Sequence, residues 1–85
     1  MRLDKYLKVS RLIKRRAVAK EMLDAGRVKM NGKVAKPGAV VSVGDNLEIG
    51  FGMQQVKVEV IEIRETVRAD EASGLYRTIE ETAGK

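Results

Sequence analysis

The chain has 85 residues, carries 17 Lys or Arg against 12 Asp or Glu for a net charge of +5, and contains no Cys and no His. A chain of that length is one domain that buries only about 60 to 65% of its unfolded surface, which leaves little room for an enclosed active site. The missing residue types exclude disulfides, thiol nucleophiles, imidazole bases and nearly all zinc or haem chemistry, so no cofactor and no metal is expected.

The sequence opens Met-Arg-Leu-Asp, with no apolar run behind it to act as a signal peptide or membrane span, and the expected compartment is the cytoplasm. Arg2 to Val9 reads as a first helix. Leu3 and Leu7 lie one turn apart with Tyr6 beside them, and Asp4 suits the positive end of the helix dipole and stands at i, i+4 from Lys8. Ser10 to Ile13 connects to a second helix, with Leu12 and Ile13 tucked between the two.

That second helix is expected over Lys14 to Ala25. Val18, Met22 and Ala25, with Leu23 beside them, form an apolar stripe, Arg16 and Lys20 sit one turn apart on another face, and Gly26 supplies the left-handed residue that stops the helix. Its entry is unusual. No Ser, Thr, Asp or Asn stands next to Lys14 as a cap, and Lys14, Arg15 and Arg16 oppose the macrodipole at roughly a few tenths of a kcal/mol each. A helix that begins this way leaves a place for an outside anion, and phosphate suits both free N–H groups and Arg side chains.

Arg27 to Val34 alternates Val28 and Met30 with Arg27 and Lys29, then turns at Asn31-Gly32, a pair that tolerates the positive φ of a type I′ hairpin. Lys36-Pro37-Gly38 and Val43-Gly44-Asp45 are two further turns, the latter leading into a strand over Asn46 to Ile49. Gln55 to Arg64 reads as another strand whose parity slips at Val60-Ile61, where either a bulge or a strand buried on both faces is expected. Beyond Glu65 the pattern weakens. Ala69 to Tyr76 reads as a short acidic helix with Leu75, Tyr76 and Ile79 as apolar anchors, and the last residues are expected to fray. The fold class is therefore α+β, with two N-terminal helices packed on a small, mostly antiparallel sheet and a short acidic C-terminal tail or helix.

The charge is unevenly divided. Met1 to Lys36 holds twelve Lys or Arg against three acids, or +9, whereas Pro37 to Lys85 holds five against nine, or −4. A basic half in a small domain is the footprint of a polyanion partner, and nucleic acid is the commonest; the plainer alternative is a solvated charged face.

The run Arg2-Leu3-Asp4-Lys5-Tyr6-Leu7, then Arg11, Lys14-Arg15-Arg16-Ala17-Val18-Ala19, Gly26-Arg27-Val28 and Asn31-Gly32, resembles the S-four-like (alpha-L) RNA-binding domain family. The resemblance covers residues 1–64, leaving 65–85 as an acidic C-terminal extension. In one place the chain departs from the family pattern: many members carry a Thr or Ser cap followed by Arg-Ser at the start of the second helix, where this sequence has Arg15, Arg16 and Ala17. The short length, the position of the domain at residue 1 and the Arg15-Arg16 pair are most similar to the branch that acts in quality control on obstructed large ribosomal subunits.

The resemblance implies a non-catalytic factor that binds large-subunit rRNA and P-site peptidyl-tRNA and works beside a nascent-chain tailing factor. Arg2, Asp4, Lys5, Arg11, Lys14, Arg15, Arg16, Lys20 and Arg27 are the candidate RNA-binding residues, the cations facing one groove with Arg2 and Arg16 foremost, because Arg grips phosphate through two parallel hydrogen bonds. Asp4 either pairs with Lys8 or orients a neighbouring Arg. Tyr6 either packs in the core or stacks on a base, and Lys29, Lys33 and Lys36 are either solvated or secondary phosphate contacts. Glu59, Glu62, Glu65, Asp70 and Glu71 are expected to point away from the RNA. With three aromatic residues in all, stacking on single strands is disfavoured, and structured RNA read through phosphate and shape is the better match.

Three alternatives stay open: recycling of dissociated large subunits carrying nascent-chain tRNA, as a heat-shock paralogue does; a protein-interaction module; and an rRNA-modifying enzyme. For the last, no base or nucleophile constellation is present. The RNA reading requires the cations to converge on one surface, neither scattered nor consumed by internal carboxylates.

Overall fold

A computed structural model describes residues 1–83. Helix α1 spans Leu3–Val9 and α2 spans Arg16–Asp24; strands β1 (Val28–Met30), β2 (Lys33–Val34), β3 (Asn46–Phe51) and β4 (Gln54–Val60) follow, then a 3₁₀ helix over Ala69–Leu75 and β5 over Tyr76–Ala83. The five strands form one sheet in the order β2-β1-β3-β4-β5, and every neighbouring pair is antiparallel. This is the expected α+β class, with the two helices and the sheet sharing a single core.

Register explains which sheet face the helices cover. Val28 stands opposite Ile49, and Ile49 opposite Val56, while Met30, Leu47 and Val58 form the next row on the same side. Directly opposite residues in antiparallel strands project to one face, so these rows present β-branched and aliphatic side chains together. Leu3, Leu7 and Tyr6 of α1 and Ala19 and Leu23 of α2 close over them, each 2% exposed or less. The intervening row, Lys29, Glu48, Lys57 and Glu80, lies on the opposite face and alternates in sign from strand to strand.

The β1–β2 hairpin is as the Asn-Gly signal implies. Asn31 and Gly32 have φ of 54° and 85°, and Met30 pairs with Lys33 across a two-residue loop. Asn31 does more than turn the chain: its side-chain amide donates to Asp45 Oδ1 at 3.0 Å, and its carbonyl oxygen accepts from the backbone N–H of Asn46 at 2.9 Å. The hairpin tip is thereby fastened to the turn that opens β3.

Several details differ from the sequence reading. The buried arc of α2 is centred on Ala19 and Leu23 with Met22 half-buried, while Val18 is 39% exposed and Ala25 is exposed. The helix is thus rotated by about one residue, or 100°, from the expected stripe. The small side chain of Ala19 lies at the centre of the arc, and Arg16, one turn before it, is carried to the edge of α1. β4 stops at Val60, so the parity slip is neither a bulge nor a strand buried on both faces: Val58 and Val60 are buried at period two, and the next N–H groups, of Ile61 and Glu62, turn away to the Leu75 carbonyl at 2.9 and 3.1 Å. A bulge does occur, but in β5. Lys57 pairs with Glu80 and Val58 with Thr78, which leaves Ile79 as the extra residue, 47% exposed and no anchor.

β5 itself was not anticipated. Its sequence Tyr-Arg-Thr-Ile-Glu-Glu-Thr-Ala shows little alternation, because it is an edge strand whose residues beyond Tyr76 are exposed on both faces through Thr82. Fraying was expected for the last residues; the strand runs through Ala83, and residues 84 and 85 lie outside those described. Leu75 (1% exposed) and Ala72 (2%) of the 3₁₀ helix are buried, and the Tyr6 hydroxyl donates to the Leu75 carbonyl at 2.7 Å. Tyr6 is fully buried, so it is a core residue, and that burial, with Tyr76 adding to it, pushes its phenol pKa up.

The Tyr6–Leu75 bond joins the first helix to the C-terminal segment. Replacing Tyr6 with Phe keeps the packing and leaves the carbonyl with its two backbone donors, so the expected loss is about 1 kcal/mol. Urea unfolding of the full chain reads it as a lowered midpoint at unchanged slope.

Candidate nucleic-acid interface

α1 and α2 meet at one buried carboxylate. Asp4 is 3% exposed, and its Oδ1 accepts from the backbone N–H of Lys5 at 2.8 Å and from an Arg16 guanidinium nitrogen at 3.3 Å, with Arg2 Nε at 3.5 Å. Of the two roles open to Asp4 the structure shows the pairing with Arg, and Lys8, the i, i+4 alternative, lies along an adjoining cavity. The reason is the rotation of α2, which brings Arg16 to Asp4 where a guanidinium can satisfy a carboxylate withdrawn from water.

Two cations share one anion, and neither is consumed. The Arg2 and Arg16 side chains remain 55% and 49% exposed. Each guanidinium has five N–H donors, and Asp4 engages one edge, leaving the rest of the fork outward. Arg2 is further positioned by its backbone: it bridges Val40 in an isolated β-bridge, and the flanking N–H of Leu3 donates to Ala39 O at 2.7 Å.

Beside this pair a cavity of about 330 Å³ is lined by Lys5, Lys8 and Arg16 from the helices, by Arg11 from the turn that joins them, and by Glu65 and Val67 from the segment between β4 and the 3₁₀ helix. Arg11 reaches it from a strained position. At the C-terminal end of α1 it takes φ of 60°, with its N–H bonded to Lys8 O at 3.0 Å, in the left-handed position that Gly26 (φ 74°) occupies after α2. An L side chain there costs about 1 kcal/mol or more, and such outliers collect where function holds them.

The start of α2 is as bare as the sequence reads. Its N-cap is Arg15, with extended backbone and no side-chain cap hydrogen bond. Lys20 lies one turn after Arg16, about 40° further round the helix, so both flank the buried arc on the same side; Lys14 is exposed in the connecting segment. Arg27 does not join them. It lines a separate cavity of about 300 Å³ with Lys29, Glu48 and Gln55. The single groove expected for all the cations is therefore a cluster of Arg2, Lys5, Arg11 and Arg16 around Asp4, flanked by Arg15 and Lys20, with Arg27 apart.

Two residues of the cavity were missed as site members. Lys8 was assigned only to Asp4, although its place one turn after Lys5 on α1 is visible in the sequence. Glu65 was expected to point away from any RNA; instead its Oε1 accepts from Lys5 Nζ, and that contact holds the carboxyl below its ordinary pKa. Glu59, by contrast, pairs with Arg77 at 2.5 Å, Glu62 with Arg64 at 3.9 Å and Asp70 with Arg68 at 3.8 Å. Only tertiary folding brings Lys5 and Glu65 together, 60 residues apart, so no local signal marks the pair.

Residues 1–47 match the S4 domain family. Over 95% of this chain and 92% of its own length, a protein of Halalkalibacterium halodurans named RQC P-site tRNA stabilizing factor is 58% identical. A Streptococcus pneumoniae protein of the same name is 51% identical, over 96% of this chain and 93% of its own. Among solved structures, a trimeric heat shock protein 15 of Vibrio cholerae superposes with a TM-score of 0.86 at 35% identity, covering 92% of this chain and 80% of that one.

Relief of the Arg11 strain is measurable. Arg11→Gly is expected to stabilise the fold by about 0.5–1 kcal/mol in urea unfolding while removing one cation from the cavity. The Lys5–Glu65 contact also has a signed pH dependence. Because the folded pKa of Glu65 is lowered, the contact contributes fully above the ordinary carboxylate range and is lost as pH falls through the lowered value. A carbon-13 titration of the Glu65 carboxyl should give a midpoint below the ordinary Glu value, moving upward in Lys5→Met.

Proposed function

Because the chain belongs to the S4 domain family, we propose that it is a non-catalytic RNA-binding factor of the large ribosomal subunit, stabilising P-site peptidyl-tRNA during ribosome-associated quality control. The observation that carries the RNA reading is the pair of half-exposed arginines held on buried Asp4 beside a cavity of further cations. Fixed guanidinium forks recognise phosphate bidentately, and a rigid pair loses little side-chain entropy on contact. The quality-control role is supported by relatives at 58% and 51% identity whose names state P-site tRNA stabilisation.

In this reading residues 1–64 supply the cations of the RNA-binding surface, and the C-terminal extension, residues 65–85, closes one side of its cavity through Glu65 and Val67. The protein uses no cofactor and performs no chemistry: it sits against structured large-subunit rRNA and a tRNA at once, restricting the tRNA while a tailing factor extends the stalled nascent chain. It works in the cytoplasm; among the described residues no helix is long and apolar enough to cross a membrane. The likeness to the Vibrio cholerae heat shock protein 15 favours a second reading, in which the same surface recognises dissociated large subunits carrying nascent-chain tRNA for recycling.

Affinity purification of a tagged copy distinguishes the two readings: quality control requires co-purification with large subunits bearing both tRNA and a tailing factor, and recycling requires large subunits with nascent-chain tRNA alone. RNA binding itself is tested by co-sedimentation with isolated large subunits. Arg16→Ala and Arg2→Ala are expected to abolish it, with urea midpoints confirming that each variant still folds, and retention in both variants overturns the proposal. If four phosphates are neutralised, the logarithmic salt slope is about −3 to −3.6, so raising salt from roughly 50 to 200 mM weakens binding about a hundredfold.

A further inference from the structure

The cavity beside Asp4 contains an anion of its own. Of its charged lining residues, Lys5, Lys8, Arg11 and Arg16 are cationic, and the remaining one is Glu65. Its carboxylate is bonded to Lys5, yet its side chain is 76% exposed, whereas that of Lys5 is 34% exposed. Glu65 is placed there by the chain rather than by burial of its own. Ile63 and Val67, two residues to either side, are half-buried against the core and hold the segment along the wall of the cavity.

We infer that Glu65 is a resident competitor for RNA phosphate: its carboxylate occupies Lys5 in the free protein and is displaced when a phosphate enters the cavity. The inference rests on the RNA-binding reading and adds a selectivity device to that same surface. Carboxylate and phosphate oxygens offer an ammonium group the same charge-assisted acceptor, so they exchange at one position. An ion pair this exposed is weak, which is what exchange requires. The effect depends on the RNA. A polyanion that meets only the Arg2 and Arg16 forks gains nothing from Lys5, because Glu65 already satisfies it and repels the approaching backbone. A folded RNA that also places a phosphate at Lys5 displaces the carboxylate and recruits another cation. Glu65 thus lowers affinity for all RNA, and most for RNA that does not fit.

The test measures binding of the full chain to isolated large ribosomal subunits and to poly(U), for the parent, Glu65→Gln, Lys5→Met and the double variant, with urea midpoints confirming that all four fold. Glu65→Gln is expected to tighten binding about two- to fivefold on large subunits and by a larger factor on poly(U), narrowing the ratio between them. In the Lys5→Met background the same change should tighten binding by a clearly smaller factor on both, because only the general repulsion is left to relieve. No tightening in the parent background, or equal tightening in both backgrounds, overturns the inference, the latter because it reports only a general change of charge. If the parent itself binds neither RNA with a salt-dependent affinity, the RNA-binding reading fails first and this inference falls with it.

Discussion

A carboxylate withdrawn from water must be answered by donors, and in this molecule the answer fixes how the cations of α1 and α2 are arranged. Asp4 is 3% exposed and is met by the Lys5 amide, Arg16 and Arg2. The requirement acts in both directions. Without the arginines Asp4 would be an unpaired buried charge, and without Asp4 two guanidinium groups would repel one another across the α1–α2 contact. One anion against two cations leaves a surplus, held in position and pointed outward. The burial pattern of α2 permits this contact, since with Ala19 buried and Val18 exposed Arg16 reaches α1.

Strain and balance around that contact follow a consistent pattern. The domain forgoes stability at Arg11, where glycine would relax the left-handed turn, and it tolerates a cationic, uncapped start to α2. Both concessions fall on the edge of the same surface. Elsewhere local rules are obeyed: Gly26 ends α2 in a hydrogen-bonded left-handed turn, Asn31-Gly32 closes the hairpin, and among the described residues no buried side-chain polar atom lacks a partner. Departures from local preference confined to one region are what a binding site in a small domain looks like.

Much of the fold was legible because its signals are local. The helices announce themselves through Leu3, Leu7 and the Gly26 stop, and the hairpin through Asn31-Gly32; the clustering of cations in the first 36 residues is likewise plain in the sequence and singles out the candidate interface. What escaped was tertiary. β5 owes its existence to pairing with β4 rather than to its own pattern, and Lys5 finds Glu65 only after the sheet carries residue 65 back over α1. Arg27 looked continuous with the basic run, yet the turn after α2 sends it to another concavity. Asp4 was read correctly as a possible orienter of Arg, but sequence spacing favoured Lys8, since a helical i, i+4 pair is visible and a packing angle is not.

The outer face of the sheet gives the molecule a direction. Across it Lys29, Glu48, Lys57 and Glu80 alternate, so positive and negative cancel over the breadth of four strands. A wholly basic domain of this size would adhere to a ribosome by any side it happened to present. Here the back is electrically quiet while the front is not, and a body with one adhesive side meets a highly charged particle in a single orientation. Polarity of this kind turns a small basic protein from a counterion into a wedge with a top and a bottom.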